Sequence, residues 1–356
     1  MDGRLTLGGA IWRTEMTSKK LHCLVIVLSL SLCSAIGNAE SIRFAVVGDT
    51  QGTGNLAVSE GFSKIVNLVL AADPPVQFVL LTGDLIHGTK DNDQMLKDFL
   101  TWRSIAAPWY ESNFLGLKVY PVPGNHDQIN MNHYLDIWQS AFPELPDNGP
   151  RNEKKTTYSF DIGPCRFVAV NTSAATFPGF HAVNTTWLAK DLAATEQPVI
   201  FVYGHDPAFP AGRHIGSSLD TRPERRDLFW KILTENNVKI YFCGHEHLYD
   251  HWVKDNVHQI ITGSGGVPAE VFNYLIVDVD DDYNVSVSVY NANDNSLLDQ
   301  FDLTDTQIVA KEDRPGARDI FYSFFDYFPC LMFAILLAGF GCIGFCFISD
   351  GLNNYE

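Results

Sequence analysis

Positive charge is what this 356-residue sequence has least of: 25 Lys and Arg stand against 42 Asp and Glu, a formal net charge of −17. Such an excess excludes a polyanion, whether nucleic acid or an anionic membrane surface, as the main partner, because every approach is repelled at long range. It does not exclude a phosphorylated substrate where bound metal ions supply the positive charge. Cysteine is scarce as well. Cys23 and Cys33 lie in an N-terminal apolar run and Cys330, Cys342 and Cys346 in a C-terminal one, which leaves only Cys165 and Cys243 between them. Two cysteines cannot staple a disulfide scaffold. Repeats, low-complexity stretches and linkers are missing from residues 41–303, so one domain is expected there. Gly48, Gly52 and Gly54 are not followed by Gly-Lys-Ser/Thr, which excludes a nucleotide P-loop. At 46% hydrophobic and 19% charged residues, wholesale disorder is excluded too.

The two ends read as targeting segments. Residues 21–33 are uncharged, follow Lys19 and Lys20, and precede the small residues Gly37-Asn38-Ala39. That order of basic, apolar and small residues is a secretory signal peptide, residues 1–39, too short for a membrane span. Residues 327–348 carry no charge and, at roughly 1.5 Å per residue, reach about 30 Å, the thickness of a bilayer's hydrocarbon. Phe321, Tyr322, Phe324, Phe325 and Tyr327 form an aromatic approach to that run. The expected organisation is a catalytic domain at 40–305, a juxtamembrane segment at 306–326, a transmembrane helix at 327–348 and a cytoplasmic tail at 349–356. This makes a single-pass type I protein of the secretory pathway, at the cell surface or in a lysosome-like compartment, with its domain lumenal or extracellular. Asn171, Asn184 and Asn284 open glycosylation sequons usable in that setting.

Inside the domain, short apolar runs end repeatedly in glycine and a polar cluster. IRFAVV runs into Gly48-Asp49-Thr50-Gln51, and QFVLL into Thr82-Gly83-Asp84. KVYPV runs into Pro123-Gly124-Asn125-His126-Asp127, PVIFVY into Gly204-His205-Asp206, and VKIYFC into Gly244-His245-Glu246-His247. Continuous apolar strands of this kind are buried on both faces. Helical patterns at Glu60–Leu70, Gln94–Ile105 and Trp187–Leu192 lie between them. Alternating strand and helix means an α/β fold, in which the ligand site lies beyond the carboxyl ends of the strands. Five strand ends offering Asp, Asn or His there suit Zn, Mn or Fe rather than an all-oxygen Ca site. Asp278, Asp280, Asp281 and Asp282 lie between two apolar runs and read as a hairpin turn, not a Ca loop.

In this order the motifs Gly-Asp-x-Gln, Gly-Asp-Leu, Gly-Asn-His-Asp, Gly-His and Gly-His-x-His resemble the calcineurin-like metallophosphoesterase superfamily, which includes the purple acid phosphatases. The resemblance spans residues 42–266 and rests on five separated motifs. It implies a four-layer αββα sandwich with a two-metal centre of Fe, Zn or Mn. By the same resemblance Asp84 bridges the two ions, Asp49 and His247 bind the first, and Asn125, His205 and His245 bind the second. This sequence departs from the family's usual Asp-x-His, having Gln51 in place of that His. It also has His87 where purple acid phosphatases place a metal-binding Tyr. The fourth ligand of the first ion is therefore His87 or Gln51, with His87 favoured because imidazole is the better ligand of divalent metals.

The expected reaction is cleavage of a phosphate ester by in-line attack of a hydroxide bridging the two ions. His126 protonates the leaving oxygen, Asp127 holds the other nitrogen of His126, and Arg213 and His214 reach the substrate. An acid phosphatase-like phosphomonoesterase acting on a phosphorylated small molecule or phosphoprotein is the first reading. A nucleotide phosphodiesterase, or a receptor-like protein with a degenerate phosphoesterase fold, is the alternative.

Overall fold

A computed structural model describes residues 41–111, 116–129, 132–174, 179–265 and 271–303. The expected signal peptide, juxtamembrane segment, transmembrane helix and tail lie outside these residues. Among the described residues no helix is long and apolar enough to cross a membrane.

Among the described residues twelve strands form two six-stranded sheets. β1 (Ile42–Val47), β2 (Phe78–Leu81) and β3 (Lys118–Pro121) run parallel in the first. β10 (Asn273–Val279), β11 (Val285–Asn291) and β12 (Leu297–Leu303) extend it antiparallel from β1. In the second sheet β5 (Cys165–Ala169), β6 (Val199–Tyr203), β7 (Ile240–Cys243) and β9 (Val257–Thr262) are parallel. β4 (Tyr158–Ile162) and β8 (Tyr249–Lys254) close its two edges antiparallel. Each sheet is therefore mixed: helices cross over between β1 and β2, β2 and β3, β5 and β6, and β6 and β7, which pair parallel, whereas β10–β11 and β11–β12 are antiparallel hairpins joined by short turns. The acidic string at 280–282 is such a turn, with Asp280 Oδ1 accepting the N–H groups of Asp282 and Asn284 at 2.9 and 2.8 Å. Arg43 donates to Asp278 across the β1–β10 pair at 2.8 Å.

The sheets pack face to face through phenylalanine. Phe44 of β1 stacks on Phe78 of β2 at 5.0 Å and meets Phe167 and Phe201 of the second sheet edge-on at 5.2 and 5.4 Å. Each ring, fully buried, contributes about 1.5–3 kcal/mol from burial alone. Alternate residues of the same strands face helices. α1 (Phe62–Leu70) buries Phe62, Ile65, Val66 and Val69, one face at helical spacing. α2 (Asn92–Ile105) starts where Asp91 Oδ1 accepts the N–H of Gln94 at 2.8 Å. Its Trp102 joins this side of the core, as does Trp109 of α3 (Ala107–Glu111) and Trp138 of α4 (Tyr134–Ala141). On the far side α5 (Thr185–Ala194) and α6 (Pro223–Glu235) place Leu188, Leu192, Phe229 and Leu233 against Val168, Val202 and Tyr241. The order is helix, sheet, sheet, helix, and the carboxyl ends of β1, β2, β3, β6 and β7 open on one rim.

At the opposite edge a histidine pair ties the sheets together. His251 Nε2 and His258 Nδ1 are 2.8 Å apart, and His251 stacks at 3.9 Å on Phe301 of β12. Burial, then His251 and Lys239, push the imidazole of His258 down to about 4. Between pH 6.5 and about 4 the unfolded chain then binds more protons than the folded one, so stability falls as pH falls through that window. His258→Gln is expected to lose less melting temperature than the wild type between pH 7 and pH 5; equal losses would show the pair to be inert.

Candidate metal centre

The rim is built from sharp turns. Asp49, Asp84, His245 and His247 have positive φ, at 51°, 51°, 74° and 53°, a region costing a non-glycine residue on the order of 1–3 kcal/mol. Two neighbouring positions require glycine. Gly83 has φ +97°, and a Cβ there would lie 2.7 Å from the nitrogen of Gly124; a Cβ on Gly124 would collide with Asp84 Oδ1. The loops after β2 and β3 approach each other only because neither carries a side chain there.

Two groups of ligand atoms form. Asp49, Asp84 and His247 each place one within 4.8 Å of the others, and His205, Asp206 and His245 do the same beside them. His247 Nε2 lies 3.4 Å from Asp49 Oδ1. His205 Nε2 lies 3.0 Å from Asn125 Oδ1, 3.2 Å from His245 Nδ1 and 3.4 Å from Asp84 Oδ2, so Asp84 faces both groups. Neighbouring carbonyls assign the tautomers. His205 Nδ1 donates to the carbonyl of Thr82 at 2.9 Å, and His245 Nε2 to that of Ser217 at 3.0 Å. With both rings neutral, the nitrogens left facing each other, His205 Nε2 and His245 Nδ1, are lone pairs. With Asn125 Oδ1 and Asp84 Oδ2 they converge as four acceptors, a set that a cation satisfies.

Electrostatics agree. Burial alone would depress the imidazole of His205, yet Asp84, then Asp49 and Asp206, raise it to about 10. Burial would raise Asp84, but His205, with help from His126 and His245, holds its carboxyl well below the usual range. A proton shared by this pair takes the place of positive charge that the carboxylates require. Burial lowers His245, outweighing the pull of Asp206.

The two candidates for the remaining first-group ligand lie in different surroundings. Gln51 is buried, with Nε2 2.9 Å from Asp84 Oδ2 and 3.4 Å from His247 Nε2. Its Oε1 has no hydrogen-bond partner among the described residues, and exchanging the two amide atoms turns that acceptor toward the group. His87 belongs to neither group. Its ring sits 5.4 Å from that of His126, and its carbonyl accepts from His126 Nδ1 at 2.8 Å.

That contact also corrects the expected partner of His126. Asp127 does not hold it: its buried carboxylate accepts the N–H groups of Gly124 at 2.9 Å, Leu85 at 3.0 Å and Ile86 at 3.1 Å. Burial, then Asp84, push Asp127 up to about 7 against those three donors. Successive residues of the single turn at His126–Gln128 point in different directions, so one faces the site while the next ties the β2 and β3 loops together.

Arg213 and His214 do arrive at the rim. Arg213 donates to His247 Nδ1 at 2.6 Å, and His214 stacks on His245 at 3.9 Å. Burial, then His245, Arg213 and His247, push His214 down to about 3. Glu246 secures this loop: its Oε2 accepts the N–H of His214 at 3.1 Å, and burial raises its carboxyl. Glu246, Asp206 and His181 were not singled out in the sequence. The first two adjoin the motif histidines, whereas His181 has no local signal. Glu246→Gln is expected to raise KM for a phosphoester about fivefold, a loss near 1 kcal/mol from one weakened charged hydrogen bond, with metal content unchanged. A fall in kcat with unchanged KM would contradict a loop-positioning role. Of the sequons, Asn171 is fully buried and bonded to Gln128 and Thr156, which excludes it as a glycosylation site in the folded chain. Asn184 caps α5 through Trp187 and is half-buried, and Asn284 is exposed.

Comparison with known proteins agrees with this geometry. A family model described as calcineurin-like phosphoesterase matches residues 42–249. The chain is 25% identical to tartrate-resistant acid phosphatase type 5 of Rattus norvegicus over 277 residues, covering 71% of this chain and 80% of that one. Its fold is similar to the purple acid phosphatase PPD1 of yellow lupin, with a TM-score of 0.61 at 16% identity, over 75% of this chain and 54% of the lupin chain. It is similar also to GAP50, the anchor in the inner membrane complex of Plasmodium, with a TM-score of 0.54 at 15% identity, over 79% and 94%. With the match spanning most of the domain and every motif of the rim, the chain belongs to the calcineurin-like phosphoesterase family.

Proposed function

We propose that this chain is a two-metal phosphomonoesterase whose ions are held by Asp49, Asp84, His247 and Gln51 on one side and by Asp84, Asn125, His205 and His245 on the other. The observation that carries the reading is the convergence of His205 Nε2, His245 Nδ1, Asn125 Oδ1 and Asp84 Oδ2, four atoms that all become acceptors once a cation displaces the proton His205 shares with Asp84. Mixed Asp, Asn, Gln and His donors suit Zn, Mn or Fe. Bound there, two ions supply Lewis acidity that neutralises phosphate charge and lowers the pKa of water.

The chain's own groups account for binding and proton transfer. Arg213 and His214 offer donors to the phosphate oxygens on the His247 and His245 side. His126 gives Nδ1–H to the carbonyl of His87, so in its imidazolium form the second proton, on Nε2, is the one it passes to the leaving oxygen. Its own N–H donates to Asp84 Oδ1 at 2.9 Å, so it stays beside the shared ligand. The same reading takes residues 1–39 as a signal peptide and 327–348 as a membrane anchor, with the catalytic domain on the lumenal or extracellular side. The charge pattern of the two termini supports it. A non-catalytic reading draws on Gln51, whose amide donates to Asp84 in the arrangement described.

The test is metal content of the purified full-length protein, followed by hydrolysis of a chromogenic phosphomonoester and a phosphodiester from pH 4.5 to 8.5. Two ions per chain with preferential monoester turnover is the expected result. Faster diester turnover would make it a phosphodiesterase, and two ions without turnover of either would establish the non-catalytic reading.

A further inference from the structure

We propose that Asp206 is an additional carboxylate ligand of the second ion, held in aim by His181. This rests on the two-ion reading above and adds to it a donor that the motif residues do not include.

Asp206 directly follows His205 at the end of β6 and is fully buried. One of its oxygens, one ring nitrogen of His205 and one of His245 all lie within 4.8 Å of one another. Donors about 2.0–2.2 Å from a shared ion are separated by up to about 4.4 Å, so a shift of a few tenths of an ångström brings the set onto one ion. The two oxygens of Asp206 have different surroundings. Oδ2 faces His181 Nδ1 at 2.7 Å, whereas Oδ1, buried, has no hydrogen-bond partner among the described residues. An orphaned carboxylate oxygen is costly to bury. Of the two histidines in the group, His205 is committed through Nδ1 to the carbonyl of Thr82 and His245 through Nε2 to that of Ser217, so neither of those nitrogens donates to it.

The position is also rigidly held. Asp206 donates its N–H to Thr172 Oγ1 at 3.0 Å, and its carbonyl accepts from the hydroxyl of Tyr241 at 2.7 Å. His181 sits at φ +54°, a conformation that supports the 2.7 Å contact from across the neighbouring loop. A ligating carboxylate whose second oxygen is held by an outer hydrogen bond is the usual arrangement around a bound ion. A second carboxylate makes this site harder than an Asn, His and His set with Asp84 alone, and favours Mn or Fe over Zn there.

The test uses the full-length protein, stripped of metal and titrated with Mn(II), and with Co(II), whose visible spectrum reports coordination. Asp206→Asn is expected to bind the second ion about tenfold or more weakly, with the first unchanged, and to alter the Co(II) spectrum of the second site. Wild-type affinity and an unaltered spectrum in that variant would overturn the proposal. Should Asp206→Asn not fold, His181→Ala decides, because it leaves the backbone contacts of Asp206 intact. A shifted second-site spectrum with a several-fold weaker second ion supports the role, and an unaltered spectrum overturns it. A wild-type chain that takes up fewer than two ions overturns the two-ion reading itself, and this proposal with it.

Discussion

Asp84→Asn is expected to lower phosphoester turnover by about 10³-fold or more and to reduce the metal content below two ions per chain. The reason is its position facing both ligand groups. Asp84 Oδ2 lies 3.4 Å from His205 Nε2 and 2.9 Å from Gln51 Nε2, while Oδ1 accepts the N–H of His126. An amide keeps the contact to His126 but removes the charge that both ions need. It also turns an N–H₂ toward the Gln51 amide. The backbone has no reason to move, since the positive φ at residue 84 suits Asn as well as Asp. Unchanged circular dichroism alongside lost turnover and lost metal is thus the full expected signature. A variant that retains two ions and works within tenfold of the wild type would sink the shared-ligand role.

His126→Ala is the second large effect, and its size depends on the leaving group. A positioned general acid contributes roughly 10²–10⁴-fold when the departing oxygen needs a proton. For an alkyl phosphate the fall in kcat is expected to reach at least about 10²-fold, with two ions still bound, because the hydrogen bond of the His126 ring goes to the His87 carbonyl and not to a candidate ligand atom among the described residues. For a nitrophenyl phosphate, whose leaving group departs as a stable anion, the fall is expected to be far smaller. Equal losses on both substrates would assign His126 to holding the β3 loop and not to proton transfer.

Much of the architecture was legible along the chain. The strands at Ile42–Val47 and Val199–Tyr203 announce themselves as apolar runs closed by glycine, and the hairpin at 280–284 by its acidic turn between two such runs. These signals are local: the period of side-chain exposure and the chemistry of tight turns act over a few residues. The candidate ligands Asp49, Asp84, Asn125, His205, His245 and His247 were readable for the same reason, each sitting two to four residues past a strand end.

What the sequence by itself determined about this protein is therefore the set of strand-end Asp, Asn and His residues and the α/β class that gathers them on one rim. The tertiary structure alone decided which neighbour each of those residues meets. His245 N donates to Asp49 across 196 positions of sequence, a contact no local rule contains. The turn at His126–Gln128 sends Asp127 inward to backbone N–H groups of the β2 and β3 loops, away from the His126 ring. Gln51 reaches the first group while His87, the better ligand by chemistry, turns beside His126. Asn171 is buried by its bonds to Gln128 and Thr156, although its triplet reads as an acceptor for sugar. His181 finds Asp206 from a separate loop. In each case side-chain direction and burial are set by packing between segments distant in sequence, and only the assembled sheets bring those segments together.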